Sequence, residues 1–197
     1  MTRVLMEITM SLDGYIAGPD VSAEEPMGRG GESLHDWMFS GKSGAEVERY
    51  QADLFRAIGA VIVGRRMADL GIPNWGDNPT YHAPVFVVTH RPAETIVKQG
   101  GTSYTFVTDG IDAAMARAKE AAGDRDVIVM GGADVDRQFL NAGLVDEIRL
   151  HLAPIMLGGG TALFAGVSPD LRLVPSEATS SPLATHVTYR VEAPDRA

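Results

Sequence analysis

The 197-residue sequence predicts an α/β fold around one sheet, mostly parallel and ending in antiparallel strands. Three observations carry that expectation. Short apolar runs alternate with segments of helical spacing as far as Leu140. The run Asp126-Val127-Ile128-Val129-Met130 breaks at Gly131-Gly132 and restarts with helical periodicity, as a buried strand feeding a helix does. From Glu147 onward, strand-like segments follow one another with no helical segment between them, which favours antiparallel neighbours.

In chain order, residues 4–10 read as a first strand, followed by the turn-rich stretch 11–19. Residues 20–44 are punctuated by glycines and charges with little periodicity, so a long loop holding one short helix is expected. Val47, Tyr50, Leu54, Phe55 and Ile58 recur at helical spacing and predict a helix over 45–58. Residues 60–63 form a short buried strand running into Gly64-Arg65-Arg66-Met67, and 84–89 and 104–107 are two further strands. An alanine-rich helix over 111–122 ends at Gly123, a residue that suits a helix C-terminus. Then come the strand and helix of 126–140, a strand over 147–152, and a pair near 171–175 and 185–192. No internal repeat or linker divides the chain, so a single domain over 1–197 is expected.

Bulk properties narrow the function. With 17 basic and 26 acidic residues the net charge is −9, which argues against nucleic acid or an anionic membrane surface as partner. No apolar run reaches the roughly 18 residues of a membrane span, and Glu7 interrupts the layout a signal peptide needs. Zero cysteines remove disulfides, thiolate catalysis and Cys-type zinc sites. A cytoplasmic protein is expected. His35, His82, His90, His151 and His186 lack metal-ligand spacing, so no metal site is expected. Ser40-Gly41-Lys42-Ser43 resembles the end of a P-loop, but Asp36 stands where that loop needs glycine; Gly28-Arg29-Gly30-Gly31 lacks the third glycine of a Rossmann turn.

Four segments stand where a strand ends: residues 13–18, Gly64-Arg65-Arg66, Thr89-His90-Arg91 and Gly131-Gly132. Ligands of open α/β sheets collect at those ends, because loops and helix N-termini converge there. Two of the segments are basic in an acidic chain, and arginine forks suit phosphate. Paired glycines before a helix let backbone N–H groups approach a diphosphate. Together they specify a phosphorylated adenosine joined through a diphosphate. Taken singly, the segments keep other roles: tight strand-to-helix packing for the glycines, solvated side chains for Arg65 and Arg66, a plain turn for Asp13-Gly14. Gly158-Gly159-Gly160 reads as an anion site or a sheet-edge bend.

Ser11-Leu12-Asp13-Gly14-Tyr15-Ile16-Ala17, Val63-Gly64-Arg65-Arg66-Met67, the stretch 127–140, and Asp146-Glu147-Ile148-Arg149-Leu150-His151-Leu152-Ala153-Pro154 through Gly160 carry a resemblance over nearly the whole chain. The sequence resembles the dihydrofolate reductase superfamily, in the branch holding the C-terminal reductase domain of the bifunctional riboflavin-biosynthesis deaminase-reductase. The resemblance implies the three-layer dihydrofolate-reductase-like fold, NADPH as cofactor and hydride transfer to a heterocycle. It places Thr9, Ile16 and Ala17 at the nicotinamide. Gly64, Arg65 and Arg66 fall at the phosphates, Thr89, His90 and Arg91 at the adenosine 2′-phosphate, and Gly131, Gly132, Ala133, Asp134 and Val135 at the diphosphate. Asp134 departs from a position that is basic or neutral in some relatives; as a helix cap it would avoid repelling the diphosphate. A homodimer pairing through the C-terminal strands is implied as well. The chain reads as a stand-alone reductase without a deaminase domain.

The substrate side is less determined. Hydride delivery to a C=N bond needs a proton source near the nitrogen. The helix over 45–58 offers Glu46, Glu48 and Asp53; an ungapped count back from Gly64 selects Glu48, whereas matching Phe55 puts Gln51 at that position. Asp36 is a second candidate acid, and Trp37 and Phe39 beside it suit stacking on a flat ring or closing a lid. Glu7 is an inward acid or half of an edge salt bridge. Strand alternation turns His151 away from Leu150 and Leu152, into a cleft or into a satisfied core position. The expected activity is NADPH-dependent reduction of a pterin, pyrimidinone or related flat heterocycle, resembling either 5-amino-6-(5-phosphoribosylamino)uracil reductase or dihydrofolate reductase. Glu48 and Asp36 are its candidate acids, and Trp37 and His151 its substrate contacts. The alternative is a nucleotide-binding protein without catalysis.

Overall fold

Strand β1 (Val4–Ser11) carries apolar residues on one face and Leu5, Glu7, Thr9 and Ser11 on the other, and it is buried along most of its length. A strand buried on both faces belongs inside a sheet. The computed structural model, which describes residues 2–192, places it there. The remaining strands are β2 (Tyr15–Ala17), β3 (Ile58–Gly64), β4 (Pro84–Val88), β5 (Ile96–Val97), β6 (Ser103–Val107), β7 (Asp126–Val129), β8 (Glu147–Ala153), β9 (Thr161–Ala162), β10 (Arg172–Ser181) and β11 (Ala184–Glu192). Nine of them form one sheet in the order β10-β11-β8-β1-β7-β3-β4-β6-β5. The pairs from β8 through β1, β7, β3 and β4 to β6 are parallel. The pairs of β11 with β8 and with β10 are antiparallel, as is that of β5 with β6. The sheet is therefore mostly parallel with an antiparallel C-terminal end.

Helices complete three layers. Helices α4 (Gly110–Ala122) and α5 (Ala133–Asn141) pack on the face of Val4, Met6 and Val127. Helices α2 (Ala45–Ala57) and α3 (Arg65–Gly71) cover the face of Leu5, Val61 and Ile128. The inward stripe of α2, Val47, Tyr50 and Leu54, follows the spacing read from sequence. The 20–44 loop holds a 3₁₀ turn (Gly31–His35) running into the short helix α1 (Asp36–Phe39). Two features differ from expectation. Strand β10 is twice as long as the stretch 171–175, because its exposed residues show no apolar alternation to read. A separate ribbon of β2 and β9 ties the loop after β1 to the glycine-rich segment 158–160. Among the described residues, no helix is long and apolar enough to cross a membrane.

Candidate active site

The C-terminal ends of β3 and β7 meet at the glycine pair. Gly64 donates its N–H to the Gly131 carbonyl at 2.6 Å, and Gly131 sits at φ +102°, where a side chain would be strained. The Gly131–Gly132 peptide is cis. A Cβ on Gly64 would lie 2.9 Å from Val135 Cγ2, so only glycine lets the strand end and α5 come this close. Gly64→Ala is expected to cost about 1–3 kcal/mol through overpacking, read as a shift in the denaturant midpoint. Gly132 opens outward: a Cβ there would meet nothing within 4 Å. It is the N-cap of α5, and its carbonyl takes the N–H groups of Val135 (2.9 Å) and Asp136 (3.2 Å). No side chain of a described residue caps this helix, so its first turn presents backbone to the open side, which fits an anion.

That corrects the reading of Asp134 as the cap. The extended Gly132 occupies the cap position, and Asp134 falls two residues later, inside the first turn. Its exposed carboxylate accepts from Gln138 Nε2 at 2.8 Å and lies 4.0 Å from Arg137.

The basic strand ends differ in their contacts. Arg65 lies 5.1 Å over the Phe106 ring, pairs with Asp69 at 2.7 Å and donates to the Arg91 carbonyl at 3.2 Å. Arg91 pairs with the same Asp69 at 3.2 Å, and its N–H is held by the buried Thr89 hydroxyl at 3.0 Å. Arg66, His90 and Arg91 are exposed; Arg66 reaches the Val21 carbonyl at 3.3 Å. Across the strand ends, Asp13 locks the loop after β1. Its carboxylate accepts from Ser11 Oγ (2.6 Å) and from the N–H groups of Leu157 (3.1 Å) and Gly158 (2.7 Å). The Ser11 hydroxyl, and after it those amides, hold the carboxyl below its usual range. With its N–H given to Asp13, Gly158 belongs to a bend, and a Cβ on Gly160 would be 2.1 Å from the Ala17 carbonyl. Ile16 is buried in β2, beside Ala17.

A second cluster lies on the α2 face of the sheet. Register puts Glu7 beside Arg149, Thr9 beside His151, and His151 beside His186. Glu7, 5% exposed, accepts from the Tyr50 hydroxyl at 2.5 Å and lies 2.7 Å from His151 Nε2, both on Oε1. Its Oε2 has no hydrogen-bond partner among the described residues; Arg149 Nη1 is 4.0 Å away and the Arg149 Nε is bound to Glu147 at 2.6 Å. His151 Nδ1 is 2.7 Å from His186 Nδ1. Trp37 stacks on His151 at 4.1 Å and donates its indole N–H to Thr9 Oγ1 at 3.1 Å. Desolvation, then His151, pushes His186 down to about 4, and burial does the same to His35. Burial, then the Glu7 charge, raises Tyr50.

The candidate acids read from sequence are elsewhere. Glu48 is exposed on α2, beside a hollow of about 160 Å³ lined by Trp37, Phe39 and Gln51, and Asp36 is exposed at the start of α1. The helical phase that turns Tyr50 and Leu54 inward turns Glu48 out. Trp37, 1% exposed, stacks on His151, and Phe39 is 77% exposed. Of the sequence candidates, Glu7, Thr9, Trp37 and His151 are brought together. Tyr50 and His186 were missed. Tyr50 was legible as part of the inward stripe, whereas His186 depends on an antiparallel register that no local pattern encodes.

A model of the RibD C-terminal domain matches residues 2–185. YyaP of Bacillus subtilis, an uncharacterized protein, is 26% identical over 181 residues, covering 87% of this chain and 85% of its own. The crystal structure of a protein from Shewanella sp. PV-4, provisionally named a riboflavin biosynthesis protein, is similar with a TM-score of 0.74 and 25% identity over 98% of this chain and 100% of that one. A pyrimidine reductase-like protein from Corynebacterium diphtheriae shares the fold with a TM-score of 0.61 at 17% identity, covering 98% of this chain and 92% of its own.

Proposed function

The chain belongs to the RibD C-terminal domain family, and on that premise we propose that it is an NADPH-dependent reductase acting on a pterin, pyrimidinone or related flat heterocycle. The observation that carries this reading is the open glycine turn at the start of α5, flanked at neighbouring strand ends by the outward Arg66, His90 and Arg91. Gly131, Gly132, Ala133, Asp134 and Val135 would form the turn that holds the diphosphate, on the backbone N–H groups that the Gly132 carbonyl does not already take. Arg66 and Arg91, with Thr89 and His90, would hold the 2′-phosphate, while Arg65 and Asp69 keep those segments in place. Thr9, Ile16 and Ala17 would line the nicotinamide end. Bound there, NADPH supplies a hydride and its two electrons.

The proton falls to Glu7 in this reading, and Glu48 and Asp36 are left as surface residues. A buried carboxyl between Tyr50 and His151 is held in place and shielded from water, as an acid serving a hydride acceptor has to be. Trp37 and His151 form the wall that orients it. A homodimer joined through β10 and β11 completes the proposal.

Titration with NADPH and NADH tests it. Tighter binding of NADPH is expected, and Arg66→Ala should weaken NADPH about tenfold, roughly 1.4 kcal/mol, with a smaller change for NADH. Equal losses for both would remove Arg66 from the 2′-phosphate. Binding of neither dinucleotide would overturn the reductase reading.

A further inference from the structure

The face of the sheet beneath α2 changes character from β1 outward. Strand pairing lines up Glu7, Arg149, Thr188 and Glu177 across β1, β8, β11 and β10. The neighbouring row is Thr9, His151, His186 and Thr179. A parallel sheet covered by helices is ordinarily apolar on that face, as it is around Val61 and Ile128. Here two polar rows lead instead from the acid at Glu7 to the edge strand.

A cavity of about 390 Å³ stands over the outer part of these rows, between the first turn of α2 and strands β8, β10 and β11. That volume suits a small organic molecule. Tyr50 and His151, which both contact Glu7 Oε1, are in its wall, so the cavity adjoins the acid. Thr179, Ser180, Ser181 and Thr188 supply hydroxyl groups to its outer wall.

The charges around the cavity are unfavourable to an anion. Arg149 lines it, but its Nε is held by Glu147 at 2.6 Å and its Nη1 stands 4.0 Å from Glu7. Glu46 of α2 and Glu177 of β10 line the same cavity. Burial, then His151, pushes His186 down to about 4, so that ring is neutral at pH 7. The ring nitrogens of His151 already face Glu7 and His186, and those of His186 face His151 and Ser181. The N-terminus of α2 opens on the cavity at Gly44 and Ala45, yet Glu46 and Glu48 in its first turn already answer its dipole. Phosphate and carboxylate are held by arginine forks free to pair with them, and the described lining residues offer none.

We propose that this cavity holds the substituent of the substrate's ring, and that it selects an uncharged, hydroxylated chain over one ending in phosphate or carboxylate. The proposal rests on the reductase reading, which puts a ring nitrogen at Glu7. From there the chain runs outward along the two polar rows. Its hydroxyls exchange hydrogen bonds with Thr179, Ser180, Ser181 and Thr188, each of which can donate and accept. A phosphate in the same place would meet the carboxylates of Glu46 and Glu177. A phosphoribosyl group is therefore the poorer ligand, and a ring with a free polyol chain the better one.

Isothermal titration of the whole protein, without dinucleotide, tests this with two pairs of probes. One pair is a trihydroxypropyl-dihydropterin and its phosphate monoester; the other is a ribitylamino-uracil and its phosphate monoester. In at least one pair the neutral compound should bind about tenfold or more tightly than its ester, and added salt should narrow the gap by screening. Glu177→Lys, on the exposed edge strand, should tighten the ester about tenfold relative to its neutral partner. Glu120→Lys, on α4 at the opposite face of the sheet, makes the same change in net charge and should leave the ratio as in the parent. Equal or tighter binding of the esters by the parent, a ratio that Glu177→Lys leaves unmoved or that Glu120→Lys moves as far, or binding of no probe would overturn the proposal. NADPH titration reports separately: failure of the parent to bind NADPH would sink the reductase reading and leave the ratio of probe affinities standing.

Discussion

Trp37→Ala is expected to lower the folding free energy by about 3–5 kcal/mol and the melting temperature by about 10 °C or more. The indole is 1% exposed and bridges parts of the chain far apart in sequence. It stacks on His151 of β8, meets His186 of β11 edge-on at 5.0 Å, and donates to Thr9 of β1. Its backbone carbonyl takes the Ser43 hydroxyl just before α2. Alanine would leave a cavity where the 20–44 loop packs on the sheet, and would leave the Thr9 hydroxyl without its donor. Phe39, two residues on and 77% exposed, is the control: Phe39→Ala should change stability by no more than about 0.5 kcal/mol. Equilibrium unfolding in denaturant separates them. Similar losses for the two would mean that Trp37 does not anchor the loop.

The contrast between Trp37 and Phe39 shows where the sequence stops being informative. Continuous apolar runs such as 60–63 and 126–129 announce parallel strands buried on both faces, because helices cover the sheet on each side. The glycine pair at 131–132 was legible for a similar reason, since close approach of strand and helix excludes side chains. Residues 20–44 have no period, so nothing local says that Trp37 turns in and Phe39 out. Glu48 is a different case. A count back from Gly64 selects it, whereas the stripe of Val47, Tyr50 and Leu54 sets it on the outer side of α2. Parity along β1 puts Glu7 and Thr9 on one face, but the partners of that face come from β8 and β11, whose register with β1 is set by the whole sheet. The glycine turn and the basic strand ends were readable because they are made of backbone and strand ends. The cluster around Glu7 is made of side chains that meet only through long-range pairing.

Acid should destabilise this protein well above the usual carboxylate range, with buried groups of opposite sign shaping the curve. His35 and His186 are each pushed down from 6.5 to about 4, by burial first and the nearby His151 second. An unfolded chain protonates them near 6.5, whereas the folded chain resists until about 4. Between those values the unfolded state binds more protons, so stability is present above pH 6.5 and lost as pH falls toward 4. For the partly buried His35 the difference amounts to less than about 3 kcal/mol, and the half-exposed His186 adds less again because water screens it. Asp136 works the other way. Its carboxyl is fully buried beneath the glycine turn and makes no hydrogen bond of ordinary geometry to a described residue. Burial raises it well above 3.8, with the Gly131 amide and the Arg137 charge offsetting only part of the effect. Here the folded state binds the extra proton, so stability present below the ordinary aspartate range is lost as pH rises through the folded value. Asp136→Asn should therefore stabilise the protein at pH 7 by more than about 1 kcal/mol, with the gain shrinking toward zero near pH 4. His35→Gln should flatten the loss between pH 6.5 and 4. Denaturant midpoints measured from pH 4 to 8 give both slopes. A pH-independent effect of Asp136→Asn would show that this carboxyl carries no linked proton, and an unchanged acid limb in His35→Gln would remove His35 as a cause. Because the two substitutions are expected to act at opposite ends of the same pH range, a general acid denaturation of surface carboxylates cannot produce the pair.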